Sequence, residues 1–209
     1  MSALNVLEGI WGSSTTPAAV TGSASPSTSS NAAPPSATNP LHDRAIIVTG
    51  CASGIGRATA ILLAERGARL ALTDIDAQAG RELCQEIKRR GLKADMVFAA
   101  LDCTDEQAVG KLVRTFKRSY KRLDGLVNCA GINPATPETH LVDFEQHYAR
   151  MMDVNLKGSM AFCKHFAAAA VKDQQDDAPT PEGGFSIVNL GSSASLTGMD
   201  QSSIYVRSL

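Results

Sequence analysis

The stretch TGCASGIG, Thr49 to Gly56, offers the plainest chemistry in the chain, a cradle for an anion. It joins an apolar run, AIIVT, to a segment of helical periodicity. Gly50 permits a tight turn, Gly54 lets backbone approach a phosphate, and Gly56 lets the helix pack closely on the strand. The helix N-terminus then supplies N–H groups and positive potential for a pyrophosphate. The spacing G-x-x-x-G-x-G departs from the commoner G-x-G-x-x-G dinucleotide fingerprint, and a glycine turn alone serves any tight strand-to-helix junction. Other reactive types form weaker sets. His140, Asp143 and His147 match no known ligand spacing and read as surface residues. Cys51, Cys84, Cys103, Cys129 and Cys163 form no CxxC pair, and Cys129 reads as a small buried residue.

Elements able to position that loop alternate along the chain from Arg44 onward. Ala45–Thr49 reads as a buried strand, followed by a helix through Arg66 with Ile55, Ala58 and Leu62 on one face. Leu70–Thr73 is a second strand, ending in Asp74, and a helix over Ala77–Arg90 stops at Gly91. Met96–Leu101 is a third strand. Thr104 and Gln107 form a capping box for a helix bearing Val109, Leu112, Val113, Phe116 and Tyr120. Gly125–Asn128 is a fourth strand. A long helical stretch ends near Val171, Lys172–Gly184 is a polar loop, and Phe185–Leu190 is a fifth strand. Such alternation predicts right-handed crossovers and an α/β, doubly wound parallel sheet of Rossmann type. Cofactors in these sheets bind beyond the carboxyl ends of the strands.

Five motifs recur in a fixed order: Thr49-Gly50-Gly54-Ile55-Gly56, Asn128-Ala130-Gly131 in NCAG, Asn155 in VNLKG, Ser192 in NLGSS, and Tyr205 thirteen residues after Ser192. Together they resemble the short-chain dehydrogenase/reductase family, over nearly everything after residue 43. The resemblance implies an NAD(P)-dependent oxidoreductase acting on a small alcohol or carbonyl substrate. It implies that Tyr205 acts as general acid/base on the substrate oxygen, that Ser192 hydrogen-bonds the same oxygen, and that Asn155 anchors a water. Asn155 reads equally as a helix-interior residue bonding backbone. Asp74, about 20 residues after the glycines, is placed to accept from the adenosine ribose hydroxyls and to repel a 2′-phosphate. Ser53 stands where NADP-preferring relatives often carry a basic residue, so both positions point to NAD over NADP. Asp102 reads either as the family's adenine contact or as an ordinary turn residue. The family's Asn128 braces neighbouring strands, and Ala130 and Gly131 leave room for the nicotinamide ribose.

The family also carries a lysine four residues after the tyrosine, which holds the ribose and lowers the tyrosine pKa. Leu209 occupies that position. The sequence therefore reads as a member cut short after its tyrosine, as a splice variant or misread exon boundary would make it. A non-catalytic dinucleotide-binding protein and an inactive truncated product are the alternatives.

Composition sets the remaining bounds. A 44% hydrophobic share suits a globular core. A formal net charge of −1 argues against nucleic acid or an anionic membrane as partner. No apolar run approaches the roughly 18 residues of a membrane span. The first 43 residues contain no Lys or Arg, against a secretory or transit leader, so the chain reads as cytoplasmic with reduced thiols. A homo-oligomer belongs to a full-length form rather than to this one. Residues 1–43 form a Ser/Thr/Pro/Ala-rich tail too poor in apolar surface to offset its chain entropy, and 44–209 the dehydrogenase-like domain. Leu4, Leu7 and Trp11 fall at helical spacing within that tail. Limited proteolysis followed by mass spectrometry is expected to clear residues 1 to about 40 and leave a resistant body; protection of Gly12–Pro40 is the contrary result.

Overall fold

The computed structural model describes residues 41–133, 144–175 and 184–197, together with Tyr205 and Ser208. The tail through Pro40, His140, Asp143 and Leu209 lie outside the described residues. The elements run β1 (Ala45–Thr49), α1 (Gly54–Glu65), β2 (Arg69–Asp74), α2 (Ala77–Arg89), β3 (Met96–Ala100), α3 (Glu106–Tyr120) and β4 (Gly125–Asn128). Then follow α4 (Phe144–Met151), a π-helical segment (Met152–Gly158), α5 (Ser159–Gln175), β5 (Ser186–Asn189) and α6 (Ala194–Thr197). All strand pairs are parallel, in the order β3-β2-β1-β4-β5. The chain starts at the sheet's centre, winds outward to β3, and returns to lay β4 on the free edge of β1. That reversal creates a crevice at the strand ends between β1 and β4.

Period-two alternation explains why the sheet carries a core on each face. Ala45 and Ile47 of β1 pack with Leu112, Phe116, Phe162 and Phe166 from α3 and α5. Ile46 and Val48 face the other way, against Ala60, Ile61, Leu83 and Ile87 from α1 and α2. Gly80 lets α2 lie close on β3, since a Cβ there would come within 2.0 Å of the Phe98 ring. Among the described residues β5 pairs with β4 alone and is exposed along its length, including Ile187 and Val188.

Local expectations were met in the strands to within a residue, but two helix boundaries differ. Asp105, not Thr104, caps α3, its carboxylate accepting from the Ala108 N–H. Thr104 instead donates its hydroxyl to Asp102. A carboxylate one residue nearer the helix outcompetes the hydroxyl for the free N–H groups. Second, α5 continues past Val171 to Gln175, so Lys172–Gln175 are helical rather than loop. Four further residues extend an existing helix readily, because elongation is cheap once the turn is nucleated. Ahead of β1, Asp43 donates its N–H to Gly67 O and pairs with Arg69, and Leu41 O accepts from the Arg44 N–H.

The opposite end of the sheet from the crevice is held by Asp124. Its buried carboxylate accepts from the Ala45 N–H (2.8 Å), from Arg44 (3.0 Å) and from Arg122 through both Nε (2.7 Å) and Nη2 (2.6 Å). Its backbone bonds Ala45 O and the Ser186 N–H, linking β1, β4 and β5. Burial alone raises this carboxyl's pKa, but Arg122, the Ala45 N–H and Arg44 outweigh it and leave the pKa below the usual value. A depressed folded pKa means the stabilisation is present above the unfolded value of about 4 and is lost as pH falls below that value through the lower folded one. Asp124→Ala is expected to cost about 3–5 kcal/mol in urea unfolding at pH 7, because it strands two arginines and a backbone N–H. The difference from wild type should shrink as pH falls below about 4, and a pH-independent difference would contradict the pairing.

Candidate functional site

A cavity of about 900 Å³ opens at the carboxyl ends of the strands. Its floor is the glycine loop, with Gly50, Ser53, Gly54, Ile55 and Gly56 all on its wall. Asp74 after β2 and Asp102 after β3 line one side, and Ala130 and Gly131 after β4 line the other. Nine of the ten residues expected at a dinucleotide thus meet at one cavity; Asn128 stands behind the wall. This follows from the topology: each strand delivers the residue just past its end to the same rim.

The three glycines of the loop are needed for three different reasons. Gly50 has φ +62°, and a Cβ there would lie 2.6 Å from the Ala130 nitrogen. Gly56 passes so close beneath the loop that a Cβ would sit 2.0 Å from Gly50 O. Gly54 has φ +50° but nothing within 4 Å of where its Cβ would be, so its freedom is spent on the empty space of the cavity. Ser53 is the N-cap of α1, yet its side chain makes no capping bond. The first turn of α1 therefore keeps N–H groups that no side chain caps, next to an open cradle. These residues fit a bound pyrophosphate.

Asp74 is held rigidly. Its Oδ2 accepts from the Ala52 N–H (2.8 Å) and its Oδ1 from the Asp76 N–H (2.9 Å), so it fixes the glycine loop while presenting negative charge to the cavity. The neighbouring Asp76 caps α2, accepting from the N–H groups of Gln78 and Ala79. Asp102 makes an Asx turn, with Oδ1 accepting from the Thr104 N–H and hydroxyl, and lines the cavity as well. Asn128 joins Thr49 of β1, Asn189 of β5 (2.8 Å) and Ser159 O of α5, bracing three elements at the level of the cavity floor.

Some wall residues were not legible beforehand. Thr49 accepts at its hydroxyl from the N–H groups of Cys129 and Ala130, both 3.1 Å, pinning the segment after β4 to β1. Thr73, also on the wall, has a buried hydroxyl with no partner among the described residues. Cys103 and Cys129 line the cavity, and burial pushes both thiols up, Cys103 to about 11 with Asp102 adding to it. They remain protonated at neutral pH and make poor nucleophiles. Thr49 and Cys129 fall within the glycine-loop and NCAG motifs without their contacts being readable there, and no short motif marks Thr73 or Cys103.

The expected catalytic residues stand away from the cavity wall. Asn155 is buried within the π-helical segment; its Oδ1 accepts from the Ile132 N–H (2.8 Å) and its Nδ2 donates to Ile132 O (3.0 Å) and Ser208 Oγ (2.8 Å). Ile132 is on the wall, so Asn155 buttresses the cavity from behind. Ser192 is half-buried two residues beyond the wall residue Leu190, and its hydroxyl accepts from the Ala194 N–H (3.1 Å). Tyr205 is half-buried in helical conformation, its carbonyl accepting from Ser208. Among the described residues no group of His, Cys, Asp and Glu is arranged to hold a metal ion.

The short chain dehydrogenase family profile matches residues 44–208. The chain belongs to that family. This short-chain dehydrogenase is 38% identical over 167 residues to an uncharacterized oxidoreductase of Thermotoga maritima, covering 79% of this chain and 60% of that protein. It is 31% identical to an NAD-dependent glycerol dehydrogenase of Listeria innocua, covering 80% and 60%. It is 33% identical to a cis-4-hydroxycyclohexanecarboxylate dehydrogenase of Sinomonas cyclohexanicum, covering 78% and 60%. Among solved structures, a short chain dehydrogenase from Mycobacterium avium aligns with a TM-score of 0.71 at 27% identity, over 80% of this chain and 59% of that one. The chain thus spans about 60% of the length of these relatives. No described helix is long and apolar enough to cross a membrane.

Proposed function

We propose that this short-chain dehydrogenase binds NAD(H) at the strand-end cavity and that the site is of the kind that transfers hydride between nicotinamide and a small alcohol or carbonyl substrate, with turnover impaired in this chain by Leu209 four residues after Tyr205. The observation that carries the reading is the open cradle at Gly54 beside uncapped N–H groups, with the Asp74 carboxylate fixed across from it. Gly50, Ser53, Gly54, Ile55 and Gly56 would hold the pyrophosphate, and Asp74 the adenosine ribose. Asp102 would flank the adenine, with Ala130 and Gly131 beside the nicotinamide ribose. Bound nicotinamide supplies or accepts the hydride. Tyr205 gives or takes the proton at the substrate oxygen, Ser192 hydrogen-bonds that oxygen, and Asn155 braces the cavity wall at Ile132. The names of two relatives, a glycerol dehydrogenase and a hydroxycyclohexanecarboxylate dehydrogenase, support an alcohol as substrate.

Leu209 supports a second reading, a dinucleotide-binding protein without turnover. Four residues after Tyr205 it offers no charge or donor to hold a ribose or to lower a phenol pKa. General acid/base catalysis is worth about 10²–10⁴ in rate, and much of that would be missing.

Binding and turnover are tested separately. Titration by nicotinamide fluorescence is expected to show NADH binding about tenfold or more tightly than NADPH, since Asp74 would face the extra phosphate at short range. Asp74→Asn should narrow that gap, though it keeps only one of the two oxygens that accept from Ala52 and Asp76, and equal affinities in the wild type would count against the role given to Asp74. Purified protein incubated with NAD and small polyols or cyclic alcohols is expected to bind cofactor without measurable turnover. Turnover abolished by Tyr205→Phe would overturn the role assigned to Leu209 and remove the second reading.

A further inference from the structure

Ser208 is buried, at 2% exposure, and its hydroxyl is fully used. It donates to the Tyr205 carbonyl (2.9 Å) and accepts from Asn155 Nδ2 (2.8 Å). Asn155 spends its other groups on the backbone of Ile132, both N–H and C=O. Gly131 packs against it, at a distance that would put a Cβ 3.4 Å from Asn155 Oδ1. One continuous line of bonds therefore runs from the cavity wall at Ile132, through Asn155, to the turn that carries Tyr205.

We propose that Ser208 is a positioning residue for Tyr205, tying the tyrosine's turn to Asn155 and so to the wall of the dinucleotide cavity. The proposal rests on the role given to Tyr205 under Proposed function. A serine inside a helix satisfies its donor by bonding back to the preceding turn, which leaves its acceptor open. Here Asn155 fills that acceptor from a different element, which a merely helical serine does not require. Asn155 reaches it from a π-helical segment, a local widening that recurs at functional sites because it re-aims a side chain. The consequence is geometric: misplacing a reacting group by about 1 Å costs on the order of 10²-fold in rate, so the turn holding the phenol needs an anchor. Ser208→Ala removes that anchor and leaves a buried amide N–H of Asn155 without a partner.

The chain has three tyrosines, Tyr120, Tyr148 and Tyr205, so fluorotyrosine labelling gives three ¹⁹F signals, assigned by single Tyr→Phe changes. Ser208→Ala is expected to shift or broaden the Tyr205 signal. The Tyr120 and Tyr148 signals should stay in place, and NADH affinity should hold within about twofold, as for a local change away from the binding groups. Ser208→Thr, which keeps the hydroxyl, is expected to restore the Tyr205 signal. An unmoved Tyr205 signal in Ser208→Ala, or a Thr variant that behaves like Ala, overturns the proposal. If Ser208→Ala does not fold, Ser208→Cys retains the volume with a weak hydrogen-bonding group; a displaced signal then supports the proposal and an unmoved one refutes it. The readout is independent of turnover. A Tyr205 signal that responds in a protein without dinucleotide binding would fail the functional reading and leave the positioning intact. NADH binding with an unresponsive Tyr205 signal would do the reverse.

Discussion

The close approach of the glycine loop to the segment after β4 is the constraint on which the rest of this structure depends. Thr49 holds two successive N–H groups of that segment, and Gly50 leaves the space for Ala130 that any side chain would take. Because β1 and β4 are neighbours only through the reversal of strand order, this contact forms at the one place where the crossovers diverge to opposite faces. The crevice they leave is the cavity. Its shape therefore comes from backbone packing at the sheet's centre, and its polarity from what each strand presents at or just past its carboxyl end.

Polar groups at both ends of β4 make that geometry rigid. Asp124 gathers Arg44, Arg122 and the Ala45 N–H at one end; Asn128 gathers Thr49, Ser159 and Asn189 at the other. Buried polar groups are costly unless fully partnered, and a fully partnered one admits few alternative registers. β4 is only four residues long, so its register with β1 gains more from these two anchors than from its own ladder. Asn155 performs the same service for the wall behind the cavity, with a donor and acceptor pair matched to the backbone of Ile132.

Charge is distributed to match this architecture. Asp74 accepts from the N–H groups of Ala52 and Asp76, and the Cys51 thiol near it is pushed up by burial and by the Asp74 charge. The cavity thus sets two hydrogen-bonded carboxylates, Asp74 and Asp102, beside protonated, unreactive thiols and the positive end of α1. Such a site is suited to holding a diphosphate and a ribose rather than to nucleophilic chemistry by cysteine.

By itself the sequence determined the strands, the helices and the floor of the site. β1 is legible because its apolar run has nowhere to go but a buried strand, and the loop because three glycines at that spacing serve a turn, a close approach and a packed helix. The family's motif order added Asn155, Ser192 and Tyr205, and family membership was legible in that order. Helix ends were less legible: Thr104 and Asp105 both satisfy the local rule for a cap, and only the Asx turn of Asp102, which captures the threonine hydroxyl, left Asp105 to do it. The anchors were decided by tertiary structure alone. Asp124 and Arg44 are 80 positions apart, and Asn155 and Ser208 are 53 apart. No periodicity reports which buried donor will meet which acceptor across such separations, because the partner is chosen by how the sheet and helices pack and not by neighbours along the chain.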